Sequence, residues 1–436
     1  MTNDRQRAQD LLNRADKILA AVDDSYIIKE RGHRPRPMPM FSHTEIELGR
    51  TLGAGGFGVV NEVTAFDLEK EPEKEEESKK GEGDSKKVAI SNTPGGDLYE
   101  DDAHYEVSGA RELMANRCLR RGVTRYALKR LHDNLSEVEK ARGMIDLAVE
   151  AKYLSVVWHP NIVKMRGVAA GSYLNQDFFI VMDRLFGTLD QRINAWKKLL
   201  SKNSGCCCGF GKNHEVFMQV LKERMIVAYD LAVAFMYLHE NRLVYRDIKP
   251  ENIGFDVRGD VKVFDFGLCK DLEPRLKCKD GAYGYKLTGR AGSLPYSNFI
   301  AKLKLNDISL LAISQSPEVA QCKPYDTKCD VYSFSILLWE LLSLQHAFKG
   351  CSPDQFIDKV VINNHRPTID KKWPPLARLV LPEAWDKDPK ARPDMKRVAI
   401  MIRGDLNDMT TDARVQRRTQ HMEDRSTHSL ELNNSP

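Results

Sequence analysis

Two stretches of polar residues carry the chemistry most plainly. One reads Tyr245-Arg246-Asp247-Ile248-Lys249-Pro250-Glu251-Asn252, and Asp265-Phe266-Gly267 begins thirteen residues after that Asn. A carboxylate at 247 can accept the proton of an attacking hydroxyl, and Lys249 can neutralise a phosphoryl group in transfer. Asn252 and Asp265 offer the hard oxygen ligands that Mg²⁺ takes when it bridges a triphosphate. Upstream, Gly53-Ala54-Gly55-Gly56-Phe57-Gly58 spaces its glycines as G-x-G-x-x-G, where the missing Cβ atoms let backbone N–H groups approach an anion. Dinucleotide-binding turns share that spacing but need a helix after the last glycine. Here Val59, Val60 and Val63 continue as a second β-branched strand, giving a hairpin that can fold over phosphates. A salt-bridged loop without catalysis is the structural alternative for 245–252, and the two motifs in order argue against it.

These residues need elements to hold them. Glu45-Ile46-Glu47-Leu48 alternates polar and apolar as a half-buried strand does, ahead of the glycine turn. From Tyr126 the pattern predicts a strand YALKRL, a helix around 137–157, strands near 162–169 and 178–183, and a helix from Glu223 to His239. Two short strands, Ile253–Phe255 and Val261–Phe264, flank the turn DVRGD, and helices follow at about 329–344, 353–362, 376–385 and 394–403. A strand-rich first part and a helix-rich second part imply two lobes of different class, an α+β fold. Ala8, Leu11, Leu12, Ala15, Ile18, Leu19 and Val22 mark one face of an amphipathic helix, which either packs on the main body or binds a partner. HRPRPMPM at 33–40 reads as a proline-punctuated linker.

The 436 residues are 42% apolar and 29% charged, which excludes a miniprotein and a disordered chain. A net charge of +4 is too small to imply a surface that coats nucleic acid, so no nucleic-acid partner is expected. The longest apolar stretches, such as ILLWELL, fall short of the roughly 20 residues of a membrane span. Nine cysteines without CxxC pairing indicate free thiols in a reducing compartment. With no hydrophobic signal region at the start and no lipidation motif at either end, the expectation is a cytoplasmic or nuclear protein.

With both motifs in hand, the sequence resembles the eukaryotic protein kinase family over residues 44–403. The family pattern is G-x-G-x-x-G-x-V, a strand lysine, a helix glutamate, H-R-D-x-K-x-x-N, D-F-G and A-P-E. The resemblance implies a bilobal protein kinase fold: a small, mainly β N-lobe with one helix at 44–182, a larger, mainly α C-lobe at 187–403, and ATP with Mg²⁺ in the cleft between. It implies Asp247, Lys249, Lys129 and Glu150 as catalytic residues and Asn252 and Asp265 as metal ligands. Gly53, Ala54, Gly55, Gly56, Phe57, Gly58, Val60, Ala127, Lys129, Met182, Asp183 and Leu185 would surround the nucleotide. Val88-Ala89-Ile90 mimics the lysine strand but ends in Ser91, which has no cation, whereas Tyr126-Ala127-Leu128-Lys129 has one, and Glu150 follows at the family's separation. Because 71 residues separate Gly58 from Lys129, an insertion of roughly 55 residues must loop out, which the logarithmic cost of loop closure tolerates. Met182 stands at the gatekeeper place, with Asp183 to Leu185 offering backbone groups to adenine. Lys249, two residues after Asp247, resembles serine/threonine kinases, so the implied partner is a protein substrate with a Ser or Thr acceptor.

Arg246 implies an activation segment phosphorylated at Thr288 or Ser293, by an upstream kinase or by autophosphorylation. Tyr245 replaces the family's usual His. Ser316-Pro317-Glu318 stands for A-P-E, with Glu318 expected to pair with Arg392, and Asp330 is expected to brace the catalytic loop. The charged stretch 67–87, within an insertion at about 67–122, should be solvated, with part of 88–122 ordered. A second insertion at about 297–315 parts Gly292-Ser293-Leu294-Pro295-Tyr296 from Pro317-Glu318, either as a real loop that reshapes substrate docking or as a translated intron. If real, it leaves open an ATP-binding pseudokinase scaffold with little turnover; a small-molecule kinase fits less well, since those relatives rarely keep the P-E motif. Cys206-Cys207-Cys208 reads as an exposed loop, with acylation as an alternative. Residues 1–43 form a helix and linker, and 404–436 a polar tail.

Overall fold

The structure, a computed structural model, describes residues 2–68, 107–203, 210–279, 283–287 and 315–409. The insertion at about 297–315 save its last residue, Thr288, Ser293, Cys206 to Cys208, most of the charged insertion and most of the tail lie outside the described residues.

The first lobe is built on a six-stranded sheet ordered β1-β7-β8-β6-β3-β2, comprising β1 (Met40–Phe41), β2 (Ile46–Ala54), β3 (Gly58–Phe66), β6 (Tyr126–Leu131), β7 (Met165–Ala169) and β8 (Phe179–Asp183). β-branched and aromatic residues are concentrated in β3 and β8, as a pleated and half-buried surface favours. Against the sheet lies α4 (Glu137–Val156), which starts at a capping box: the Ser136 hydroxyl accepts from the Glu139 N–H while the Glu139 carboxylate accepts from the Ser136 N–H. Gly143 lets this helix approach closely, since a Cβ there would stand 2.7 Å from Leu131 Cδ2 and 3.0 Å from Phe57 Cβ.

Three further helices join α4 on this lobe, one of them the helix expected at 5–22. α1 (Thr2–Asp23) packs along α4, so the amphipathic face predicted at 5–22 is covered by the chain itself. Then α2 (Tyr26–Lys29) leads through the proline-rich stretch into β1, which pairs parallel to β7 with Met40 opposite Val168. α3 (Val107–Asn116) and the small hairpin β4 (Leu119–Arg120) and β5 (Val123–Thr124) complete the region before β6. Met114 and Cys118 are buried, and the Cys118 thiol donates to the Val63 carbonyl at 3.4 Å, so the end of the expected insertion is packed onto β3.

The second lobe is helical: α5 (Leu189–Asn203), α6 (Phe210–Glu240), α7 (Pro317–Ala320), α8 (Lys328–Ser343), α9 (Pro353–Phe356) running into a π-helical turn Ile357–Ile362, α10 (Pro375–Ala384) and α11 (Met395–Met409). α8 is buried along nearly its whole length and α6 crosses it. α6 begins well before the predicted Glu223, and α11 runs past the expected boundary at 403, where Leu406 is buried and the Asp405 carboxylate accepts from the Leu376 and Ala377 N–H groups at the start of α10. Short antiparallel pairs, β9 (Leu243–Val244) with β12 (Lys270–Asp271) and β10 (Ile253–Phe255) with β11 (Val261–Val263), line the side that faces the first lobe's site residues.

Candidate active site

The register of one hairpin brings the two motifs together. Ile253 pairs with Val263, so Asn252 and Phe264 form the next rung, and the Phe264 N–H donates to the Asn252 carbonyl at 3.1 Å. Asp265 follows at once. The loop before β10 folds back on itself: Lys249 Nζ donates to Asp247 Oδ2 at 2.7 Å, and Asn252 Nδ2 donates to the same oxygen at 2.8 Å and to the Asp247 carbonyl at 3.1 Å. Asp247 is buried and its Oδ1 has no hydrogen-bond partner among the described residues. A buried carboxylate oxygen left unpaired is costly unless something is meant to meet it.

The loop is braced from below. Asp330 at the start of α8 is fully buried, and its carboxylate accepts from the Tyr245 and Arg246 N–H groups, each at 2.8 Å. His239 Nε2 lies 3.0 Å from the same carboxylate, a contact that no spacing in the sequence signals. Tyr245 packs its ring against Phe266 at 5.3 Å, edge to face, and its hydroxyl donates to the Phe264 carbonyl, which ties the two motifs together. Arg246 donates to the Leu268 carbonyl at 2.6 Å and to the Tyr325 hydroxyl at 3.1 Å. Both acceptors are neutral, and Thr288 and Ser293, the anion sites expected for this guanidinium, lie outside the described residues. Arg246 and Asp265 both hold left-handed backbone, with φ of 71° and 66°, a conformation that non-glycine residues adopt where the surroundings enforce it.

From the other lobe, β6 presents Lys129, opposite Val60 on β3 and Ile180 on β8. Its ammonium donates to Glu150 Oε2 on α4 at 2.6 Å and to Asp265 Oδ1 at 3.2 Å. Burial alone would pull the Lys129 pKa down, but the carboxylates of Asp265 and Glu150 outweigh it and the net shift is upward. Burial raises Glu150, which is enclosed within the helix face. Asp265 is also penalised by burial, yet Lys129, Lys249 and the Gly267 N–H hold it below the usual carboxylate range. Lys129, Glu150 and Asp265 form one hydrogen-bonded group and Asp247, Lys249 and Asn252 a second beside it, with Lys249 near enough to Asp265 to help hold its carboxylate charged.

The glycine turn closes over this cluster. β2 and β3 pair Gly53 with Val60 and Ala54 with Val59, and the Gly55 N–H donates to the Gly58 carbonyl at 2.8 Å. Gly53 and Gly56 face open space, whereas a Cβ at Gly58 would stand 3.1 Å from the Arg130 carbonyl and 3.8 Å from Lys129 Cε. Phe57 tucks beneath the turn toward Gly143. At the lobe junction Met182 is buried opposite Ala127. The Asp183 N–H donates to the Lys164 carbonyl and its carboxylate accepts from Arg166 at 2.7 and 3.1 Å, while the Arg184 N–H donates to the Arg125 carbonyl. The Leu185 backbone has no such partner among the described residues.

A scan for known families matches a protein kinase domain to residues 114–401. The chain belongs to the protein kinase family. Its bilobal α+β architecture agrees with that assignment. Among curated relatives, it is 33% identical over 180 residues to the dual specificity protein kinase shkB of Dictyostelium discoideum, covering 41% of this chain and 24% of that protein. It is 33% identical over 172 residues to the serine/threonine-protein kinase STY46 of Arabidopsis thaliana, covering 39% and 25%. A longer match, 27% identical over 308 residues, joins it to the serine/threonine-protein kinase D1044.8 of Caenorhabditis elegans, covering 70% and 26%. The chain spans about a quarter of the length of these relatives.

The residues present suit a hard divalent cation shared with phosphate. Among the described residues no group of three or more His, Cys, Asp or Glu side chains could hold a metal. Asn252, whose amide nitrogen is engaged by Asp247, keeps its oxygen as an acceptor, and the Asp265 side chain is 41% exposed. A cation there would take its other ligands from phosphate and water, the habit of Mg²⁺. No helix among the described residues is long and apolar enough to cross a membrane.

Proposed function

We propose that this kinase-family chain transfers the γ-phosphoryl group of ATP to Ser or Thr hydroxyls on protein substrates. The observation that carries the reading is the buried Oδ1 of Asp247, unpartnered among the described residues, beside the cluster of Lys129, Glu150 and Asp265. In this reading the Asp247 carboxylate, its other oxygen held by Lys249 and Asn252, orients the acceptor hydroxyl and takes its proton. Lys129, fixed by Glu150, meets the phosphates beneath the turn Gly53–Gly58, and Lys249 lies beside the transferring group. Mg²⁺, held by Asn252 and Asp265, would supply charge neutralisation of the phosphate oxygens. Met182 and Ala127 would pack against the adenine, with Leu185 giving it backbone hydrogen bonds. Phosphoryl transfer asks the protein mainly for positioning and charge, which this cluster supplies. Lys249 and the serine/threonine kinases among the relatives support Ser or Thr as acceptor, while the dual specificity relative makes Tyr the alternative outcome of the test.

A radiolabelled transfer assay with Mg·ATP and mixed Ser, Thr and Tyr peptides tests the reading. Asp247→Asn should keep ATP binding and lose about 10²–10⁴-fold in turnover. Near-normal transfer by that variant would refute the role of Asp247, and a labelled Tyr peptide alone would refute the acceptor class.

A further inference from the structure

We propose that residues 2–41, which precede the stretch matched by the family model, are a positioning element for the Lys129–Glu150 pair, with Arg36 as the fastening point. The proposal rests on the reading that this pair holds the nucleotide.

A helix leaves its last four carbonyls without intrahelical donors. At the end of α4 four successive carbonyls are met from the N-terminal segment. The Arg36 guanidinium donates through Nη2 to the Leu154 carbonyl at 2.7 Å and the Val157 carbonyl at 3.4 Å, and through Nε to the Ser155 carbonyl at 3.2 Å. The Arg36 N–H also donates to Ser155, at 3.0 Å, and His33 Nδ1 lies 3.4 Å from the Val156 carbonyl. A cation at a helix C-terminus is favoured by the dipole as well. The guanidinium stacks 4.2 Å from the Trp158 ring centroid, which sets the direction of its fork.

The same segment grips α4 elsewhere. Ala8, with Leu11 and Leu12, closes a cluster with Leu131, Ala141 and Met144 near the start of α4, and Asp23 accepts from Lys152 Nζ at 2.6 Å. It then reaches the second lobe. The Tyr26 N–H donates to Asp271 Oδ1 at 3.1 Å, Arg242 stacks 3.9 Å over the Tyr26 ring, and Arg31 donates to the Glu240 carbonyl at 3.3 Å. Asp271 lies in β12, just past Asp265-Phe266-Gly267. One segment therefore spans from the helix that carries Glu150 to the strand that follows Asp265, the two carboxylates that share Lys129. Glu150 sits one turn before Leu154, so the position of the α4 end fixes where its carboxylate lies. A misplacement of about 1 Å can cost on the order of 10²-fold in rate.

The test uses the full chain. Arg36→Ala should speed amide hydrogen exchange in the last turns of α4 about tenfold and lower kcat/KM for ATP about tenfold, the scale of losing charge-assisted hydrogen bonds. Arg36→Lys, which keeps the charge and loses the fork, should fall between. In a Glu150→Gln background, where the pair is already broken, Arg36→Ala should cost less than about twofold. Unchanged exchange in α4, or the full cost persisting in Glu150→Gln, overturns the proposal. Should wild type neither bind ATP nor transfer phosphate, the kinase reading falls, while the exchange measurement still decides whether Arg36 fastens α4. Should Arg36→Ala fail to fold, Arg36→Lys carries the same comparison in both backgrounds.

Discussion

Two buried ionic clusters in this molecule are built to opposite rules. In the second lobe, Arg392 and Glu318 face each other as a fork on a carboxylate, at 2.7 and 2.9 Å, with the guanidinium fully buried. Arg392 also donates to the Lys328 carbonyl at 2.9 Å and to the Asp386 carbonyl at 2.8 Å, so four of its five N–H donors are met by protein. Between the lobes, Lys129 is divided between two carboxylates, Asp265 is 41% exposed, and Asp247 keeps a buried oxygen with no donor among the described residues. Saturation marks a cluster that holds the fold, and open valence marks one that awaits a ligand. The pairing of Glu318 with Arg392 was legible from the motifs as a structural bond, and the geometry agrees with it.

The comparison breaks most sharply if the saturated cluster is opened. Glu318→Ala leaves Arg392 buried without its counter-charge, which typically costs about 3–5 kcal/mol. Thermal unfolding should show that loss, while turnover per folded molecule at temperatures well below the transition stays close to wild type. Asp247→Asn should do the reverse, with turnover lost and the transition barely moved. If both variants lose stability and activity in equal measure, the distinction between the clusters is wrong.

A carboxylate of intermediate status sharpens it. Asp271 is buried, and it accepts the Tyr26 N–H with no arginine fork among the described residues to balance it, so burial raises its pKa from 3.8 to about 6. The sign follows from linkage. Below about pH 3.8 the carboxyl is protonated in both the folded and unfolded states, and the native fold is favoured. As pH rises through 6 the unfolded chain holds a solvated carboxylate while the folded one must charge a buried group, so stability falls. After discounting for partial solvent screening, the loss between pH 4 and pH 7 is about 1–2 kcal/mol. Asp271→Asn keeps the acceptor for Tyr26 and removes the charge, so its stability relative to wild type should rise by that amount over the same interval in urea titrations. A constant offset between the two proteins across the interval would contradict the assignment.

What the sequence disclosed and what it hid divide along a physical line. Lys129 was separable from Ser91 because Ser91 carries no cation to hold a phosphate, and Glu150 followed from its resemblance to the family's separation. The hairpin that sets Asn252 opposite Phe264, next to Asp265, was readable from two short strands around DVRGD. By contrast, Arg36 and His33 meet backbone carbonyls, which every residue carries, so nothing in the side-chain pattern announces them. The face of α1 was legible as apolar while its partner was not, since Ala141 and Met144 on α4 look like ordinary core positions. Arg246 donates to the Tyr325 phenol and the Leu268 carbonyl, 79 and 22 residues away along the chain, contacts that local spacing does not announce. The first turns of α6 were missed because Gly211, Lys212, Asn213 and His214 show no apolar period in the sequence.

The smallest effect belongs to an ion pair that matches the buried fork in composition but stands in water. Arg397 on α11 donates to both carboxylate oxygens of Glu383 on α10, at 3.1 to 3.3 Å, with the two side chains 56% and 42% exposed. The chemistry equals that of Glu318 with Arg392, and only the solvent differs. Water already solvates both partners in the unfolded chain and screens them in the folded one, so such pairs contribute about 0–1 kcal/mol. Glu383→Ala should therefore shift the unfolding free energy by less than about 1 kcal/mol, and the shift should shrink further at high salt. A loss approaching that of Glu318→Ala would mean that guanidinium–carboxylate geometry, rather than burial, governs the strength of both pairs, and the contrast between saturated and open clusters would need another cause.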